Sequence, residues 1–325
     1  MKATAVAPSN IAFIKYWGRK DEVLRLPENG SISMNLSNLL TTTTVEFSDA
    51  LKMDTVIFNG RKETLVTNRA IKHIDAIRKL AMFKTKVKIV SENNFPTGTG
   101  LSSSASGFAA LTVAGAAAAG LKLSEKELSI LARLGSGSAC RSIPDGFVEW
   151  KDGKTNETSY AFSLYKKEYW DLVDVIAVTS TQKKEVSSSS GHILAQSSAF
   201  FPIRKKYIKE KIALCKKYLQ EKKLQKLGEL IEAEALELHA IYLTSHPSLI
   251  YLLPETLRVM HAVKEWRENG LSVYFTLNTG QDIHLICEKK NAQKVSRLAQ
   301  KIEGVQKTIV NYPSDGARVI EKHLF

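Results

Sequence analysis

Over much of the first sixty positions, apolar and β-branched residues alternate with polar ones. ATAVAPSNIAFIKYW, ISMNLSNLLTTTTVEFS and TVIFNG step with a period near two, which predicts strands. Between 68 and 82 the spacing changes to Ile71, Ile74, Ile77 and Leu80, one face of a helix. KTKVKIVSENNF returns to alternation, and FAALTVAGAAAAG predicts a helix of small residues that can lie close to its neighbours. SEKELSILARLGSGS opens on the capping pattern Ser124-x-x-Glu127 and breaks at Gly135. GFVEWKDGKTNETSYAFSL predicts a hairpin around Asp152-Gly153, and DLVDVIAVTS a buried strand. Near residue 180 the character changes. Helices are expected at 204–222, 223–243 and 254–269, then strands in VYFTLN and DIHLICE, a helix near 291–302 and a strand in TIVNY. Strands and helices are segregated rather than strictly alternating, which predicts an α+β fold with two layers in each half. A length of 325 residues suits two domains, here 1–180 and 181–325.

Composition narrows the chemistry. No apolar run approaches the ~20 residues of a membrane span, and AVAPSN near the amino end is no signal core, so a cytoplasmic protein is expected. Cys140, Cys215 and Cys287 form no CxxC pair, and an odd count argues against a disulfide framework. Cys140 beside Arg141 is read either as a small packing residue or as a thiol with a lowered pKa. The seven histidines show no metal-ligand spacing, so no protein-bound metal is expected. Lys and Arg number 46 against 33 Asp and Glu, an excess of 13 that suits an anionic partner. Much of it falls in RKKYIKEKIALCKKYLQEKKLQK, where Ile208, Ile212, Leu214, Tyr218 and Leu219 keep helical spacing and the lysines form a solvated face. No nucleic-acid motif accompanies it.

The segment NNFPTGTGLSSSASG, residues 93–107, runs straight into the small-residue helix. Gly98, Gly100 and Gly107 let a backbone approach an anion, Ser102, Ser103, Ser104 and Ser106 add hydroxyl donors, and the helix start adds partial positive charge. These features suit a phosphate chain, although no Gly-Lys-Ser/Thr of the common P-loop follows. A plain Gly/Ser linker is the competing reading.

Pro96 to Ala105 also resemble the phosphate-loop signature of the GHMP family of small-molecule kinases, and within it the diphosphomevalonate decarboxylases. PSNIAFIKYWGRKD at 8–21, GSGSACRSIPDGFVEW at 135–150, QKKEVSSSSG at 182–191 and YFTLNTGQDIHLI at 274–286 extend the resemblance, in the family's order, over nearly the whole chain. It implies an amino-terminal domain like ribosomal protein S5, a ferredoxin-like carboxy-terminal domain and an active site in the cleft between them. It also implies ATP with magnesium, the substrate mevalonate 5-diphosphate and a homodimer. Pro96, Gly98, Gly100, Leu101, Ser102, Ser103, Ser104 and Ser106 would then hold ATP.

By the same resemblance Lys15, Tyr16, Arg19, Ser188 and Ser189 would meet the substrate's diphosphate. Arginine stands at 19 where the family usually has lysine, and serine at 189 where some members carry arginine. Asn10 and Arg141 would meet the carboxylate, with Ser136 and Ser138 as hydroxyl partners; Arg141 in a structural ion pair is the alternative. Lys15, Arg141 and residue 278 are the catalytic candidates. The family's motif is Asp-Ala-Gly-Pro-Asn, whereas this chain reads Asn278-Thr279-Gly280-Gln281-Asp282. An amide accepts a hydrogen bond but takes no proton. Asn278 therefore marks an engineered inactive form, a natural variant of altered activity, or a catalytically silent binding protein. Asp282 would need a different backbone path to replace the missing carboxylate. A related decarboxylase or 3-kinase acting on another mevalonate ester is the alternative activity.

Overall fold

The computed structural model describes residues 1–96, 100–182 and 186–325, and not the side chains of Ser188 and Ser189. The first half contains β1 (Lys2–Ile14), β2 (Arg19–Asp21), β3 (Leu26–Pro27), β4 (Ser31–Phe47), β5 (Thr55–Phe58), α1 (Thr64–Ala81), β6 (Val87–Asn93), α2 (Ser103–Ala118), α3 (Glu125–Gly135), a 3-10 turn at Gly137–Ser142, β7 (Phe147–Trp150) and β8 (Ala161–Tyr165). Next come β9 (Leu172–Val178), α4 (Ser188–Gly191), a second 3-10 turn at His192–Ser197, α5 (Phe201–Gln220), α6 (Leu224–Thr244) and α7 (Pro254–Glu268). The chain ends with β10 (Val273–Thr276), β11 (Ile283–Glu288), α8 (Lys289–Gln300), β12 (Lys307–Asn311) and β13 (Arg318–Ile320). The expected hairpin forms as β7 and β8, and the Ser124–Glu127 capping box starts α3.

β1 and β4 are the frame of the first sheet, whose order is β13-β1-β4-β6-β5 with β7 and β8 extending it from β4. β4 is long enough to pair β6 through 41–47 and β7 through 31–34. Pro8 has no N–H to give to a ladder, and the register of β1 against β4 shifts between Pro8 and Asn10. One face of this sheet packs on α1 and α2. All-round burial of α2 requires its small residues, since a Cβ at Gly115 would lie 2.6 Å from Ile77 Cδ1.

The second sheet runs β10-β11-β9-β12, so β9 groups with strands that follow residue 180. Val173, Val175, Phe275 and Leu285 face α7 and α8, whereas Leu172, Ile176, Val178 and Ile286 join Phe13, Met34, Leu36 and Phe147 in one apolar core between the two sheets. The halves are therefore bonded by burial as well as by sequence, and β13 returns from the chain end to the first sheet.

One polar cross-link pierces this apolar contact. Arg204 of α5 and Glu234 of α6 are buried and doubly bonded, Nη1 to Oε2 at 2.9 Å and Nη2 to Oε1 at 2.5 Å. Glu234 Oε1 also accepts the Lys15 amide at 3.0 Å, and Arg204 Nη2 donates to the Lys15 carbonyl at 3.0 Å. The pair thus grips both sides of one residue at the end of β1. Arg204 departs from the solvated face expected of its segment, whereas Lys205, Lys206 and Lys209 lie there as expected. Burial pushes the Glu234 carboxyl up, but Arg204 and Lys211 outweigh it and hold the group below its ordinary range.

Removing one member of a buried pair strands the other charge. Glu234→Gln is expected to cost about 3–5 kcal/mol in urea unfolding; a loss under about 1 kcal/mol, the range of exposed pairs, would mean the clamp holds nothing. A second contact joins the halves at the glycine- and serine-rich loop before α2. Gly100 has φ +115°, and a Cβ there would collide with Gly280 Cα. Gly100→Ala should therefore lower both thermal stability and ATP affinity, and equal affinity in the two proteins would show that the contact is dispensable for binding.

Candidate active site

The loop reaches α2 through a strained step. Ser102 precedes the helix at φ 55°, ψ 34°, a left-handed conformation that costs a non-glycine residue roughly 1–2 kcal/mol. Ser102 makes no side-chain capping bond and no acidic residue lies in the first turn, so the positive end of the helix suits an anion. Ser103 and Ser104 open the helix, with Ser104 Oγ 3.3 Å from Ser136 Oγ at the end of α3. Pro96 is half-buried, and Gly98 lies outside the described residues. The side chains of Leu101 and Ser106 point elsewhere. Leu101 is in the apolar core, and Ser106 is fully buried on Thr41 (2.6 Å) and the Ser103 carbonyl (3.3 Å). They support the loop from behind.

Across the cleft, Asn278 bridges the halves. Its Nδ2 donates to Ser102 Oγ at 3.0 Å and its Oδ1 accepts from Lys15 Nζ at 3.3 Å. Lys15, 2% exposed, also donates to the Ala12 carbonyl at 2.6 Å. Burial lowers its pKa to about 7, with Glu234 opposing and Arg141 and Arg204 adding to the fall. His239 Nε2 lies 3.3 Å from the Asn278 carbonyl oxygen, and burial takes this imidazole down to about 4. Asp282 is turned away, because its Oδ1 accepts the Thr179 amide at 2.9 Å and the Ser180 amide at 3.4 Å at the end of β9.

The register shift after Pro8 delivers Asn10 to a second polar corner. Its Nδ2 donates to Ser142 Oγ at 2.8 Å and to the Ser138 carbonyl at 3.3 Å. Its Oδ1 accepts from Arg141 Nη2 at 3.1 Å, while Arg141 Nη1 donates to Ser31 Oγ at 2.8 Å. Arg141 is buried, its Nε has no partner, and among the described residues no carboxylate pairs with it. The structural ion pair is thus not what this arginine makes. An uncompensated buried cation is costly by several kcal/mol unless an anion joins it. Ser136 is buried and Ser138 half-buried beside the same turn.

Tyr16 and Arg19 form a third group. Arg19 Nε donates to Tyr16 Oη at 2.9 Å, and the Tyr16 ring lies 4.2 Å from that of His192 and 4.6 Å from that of Trp150. Gly137 must be glycine for this ring to fit, since a Cβ there would come within 2.7 Å of it. Trp17 is fully buried and Gly18 has φ +79°, so the segment between Tyr16 and Arg19 is a packed turn. Gly191, at the end of α4, packs on Trp17, which brings the backbone of residues 188–191 to this turn; the side chains expected from Ser188 and Ser189 lie outside the described set.

Burial raises the Cys140 thiol to about 12 despite Arg141, so the packing reading holds, and all three cysteines are free and buried. Among the described residues no group of three or more His, Cys, Asp or Glu could hold a metal. No helix is long and apolar enough to cross a membrane. Arg204, Glu234, His239 and Ser31 escaped the sequence reading. Glu234 had a signal, as the acidic member of the stripe Leu227, Ile231, Glu234, Leu238, Ile241.

Comparison with known proteins agrees with this geometry. The family described as the diphosphomevalonate decarboxylase-like N-terminal domain matches residues 7–161, and the mevalonate 5-diphosphate decarboxylase C-terminal domain matches 174–321. A diphosphomevalonate decarboxylase of Candida albicans is 36% identical over 92% of this chain and 88% of its own. The mevalonate diphosphate decarboxylase structure from Staphylococcus aureus has a TM-score of 0.93 and 39% identity, covering 98% of each chain. A structure described as MDDEF in complex with MVAPP, AMPPCP and magnesium also has a TM-score of 0.93, with 34% identity over 99% of each chain. The fold is that of the GHMP kinases, with the S5-like and ferredoxin-like halves that the motifs implied. With both family domains matched in order across nearly its whole length, the chain belongs to the diphosphomevalonate decarboxylase family.

Proposed function

We propose that this chain is an ATP-dependent carboxy-lyase that converts (R)-5-diphosphomevalonate to isopentenyl diphosphate through phosphorylation of the 3-hydroxyl. The observation that carries the reading is Arg141, a buried guanidinium held by Asn10 and Ser31, with no carboxylate on it among the described residues and near enough to Lys15 to act on its charge. Such a group suits a substrate carboxylate, which it can bind bidentately and align for departure as CO2. Tyr16, Arg19, Lys15 and the 188–191 segment would meet the diphosphate. The first amides of α2 with Ser102, Ser103 and Ser104 would hold the phosphates of ATP, beside the loop that Gly100 packs against Gly280.

Magnesium would arrive on the ATP phosphates held by Ser102, Ser103 and Ser104, and would supply positive charge to offset theirs. After phosphoryl transfer the 3-phosphate leaves with the C–O electron pair, and the C–CO2 pair becomes the new double bond. A positively charged, buried floor stabilises that leaving group. In this reading the protein is a cytoplasmic homodimer. The division between its halves falls ahead of β9, since that strand is central to the second sheet.

Incubation with ATP, magnesium and 5-diphosphomevalonate should release ADP, phosphate and isopentenyl diphosphate in equal amounts. ADP with a stable 3-phosphorylated product would make it a 3-kinase instead. No ATP consumption, by this chain or by Asn278→Asp, would end the enzyme reading. Arg141→Gln should lower kcat/KM on the order of 10²-fold or more while thermal stability holds or rises, because an uncompensated buried charge is removed. A marked loss of stability would instead make Arg141 a structural residue.

A further inference from the structure

We infer that in this chain the proton of the substrate's tertiary hydroxyl is taken by Lys15 Nζ, the place of a carboxylate base at 278 being held by an amide that positions the amine. The inference rests on the function proposed above. As the hydroxyl oxygen attacks the γ-phosphorus, the bond from that phosphorus to the β–γ bridging oxygen breaks, and ADP leaves with the electron pair. The hydroxyl proton passes to the Lys15 lone pair, giving an ammonium that later returns its proton to solvent or to the departing phosphate.

The geometry singles out this amine. Its two donor contacts, to Ala12 O at 2.6 Å and Asn278 Oδ1 at 3.3 Å, match the two N–H bonds of a neutral amine and leave its lone pair free. Asn278 connects it to Ser102 ahead of α2, so one amide links the amine to the proposed nucleotide site. Each of the other candidate bases is held by a neighbour, Asp174 through only one of its oxygens. Asp282 accepts backbone amides of Thr179 and Ser180; Glu234 is bonded by Arg204 and Lys211; Asp174 Oδ2 lies 2.8 Å from His284 Nδ1; and His239 Nε2 is against the Asn278 carbonyl.

Among the described residues no carboxylate lies at ion-pair distance from Lys15 Nζ. The charged and titratable groups around it are Glu234 and His239 from α6, Arg204 from α5, Arg141 from the 3-10 turn, Asp174 from β9 and His284 from β11. Burial, helped by the two arginines and opposed by Glu234 and Asp174, leaves the amine titrating at about 7, so its neutral form is present at neutral pH. A base must be deprotonated to act, so kcat/KM depends on the fraction of neutral Lys15 and falls as pH drops below that value.

The test compares pH profiles of ADP and isopentenyl diphosphate formation for this chain and for Asn278→Asp. Here kcat/KM should fall about tenfold per pH unit below about pH 7. In Asn278→Asp a carboxylate beside Lys15 takes over as base and holds the lysine charged, so the acid limb should move below about pH 5. The substrate's own phosphate titration is common to both proteins, so only the difference between limbs is read. Coincident limbs would overturn the inference.

Lys15→Arg adds an independent arm, since guanidinium keeps the charge but accepts no proton. It should cost about 10²–10⁴-fold in this chain and about tenfold or less when combined with Asn278→Asp. An equal loss in both backgrounds would make Lys15 a binding cation only. Should Lys15→Arg not fold, the profiles decide alone, because they leave Lys15 unaltered. Absence of ADP at every pH from both proteins would end the proposed function, and the inference with it.

Discussion

The bidentate Arg204–Glu234 pair is the constraint on which the site depends. Both residues come from helices of the second half, and both bond the backbone of Lys15, in the first. Buried apolar surface between the sheets favours contact without fixing its register, because burial is non-directional. A pair that accepts one N–H and donates to one C=O of a single residue does fix it. Lys15 is thereby held where its side chain meets Asn278, and the Gly100–Gly280 contact holds the other end of the cleft at backbone distance.

The electrostatics follow from how charge is shared within that frame. Glu234 is a full negative charge at the centre of the molecule, but Arg204 and Lys211 already occupy both its oxygens. Arg141 is left as a buried cation with no carboxylate on it among the described residues, a costly arrangement for a protein at rest, and burial makes Lys15 give up its proton near neutral pH. The same cost becomes binding energy when a substrate brings a carboxylate and a diphosphate. Hydrogen bonds from Arg141 to Asn10 and Ser31, all neutral acceptors, keep it oriented without satisfying its charge.

Much of this was legible where local pattern and burial agree. The strands β1 and β4, the Ile74 and Ile77 face of α1 and the capping box of α3 all depend on near neighbours, although β1 is buried on both faces and Leu80 is exposed. What escaped depends on partners far along the chain. Arg204 sits among lysines that do face solvent, and only the matching acid at 234, thirty residues on, makes it different. Ser106 read as a loop hydroxyl donor and Leu101 as part of the loop by resemblance, yet Thr41 and the core draw their side chains inward. ATAVAPSNIAFIKYW read as one strand, whereas the register shift after Pro8 carries Asn10 to Arg141 of the 3-10 turn from residue 137 onward. β13, at the chain's end, had no pattern strong enough to show that it closes the first sheet.

Asn278 shows how one substitution is read through its surroundings. An aspartate at this place would pair with Lys15 and fix it as an ammonium, dividing the work between a carboxylate that takes the proton and a cation that stabilises charge. The amide keeps the two contacts, to Lys15 and to Ser102, while withdrawing the negative charge. Lys15 then has its proton affinity set by burial against Glu234, and Glu234 is committed to the clamp. The grip that aligns the halves and the readiness of the amine to accept a proton therefore depend on the same carboxylate. A change that loosened the clamp would free Glu234 to draw the proton back to Lys15, coupling the packing of the two halves to the chemistry between them.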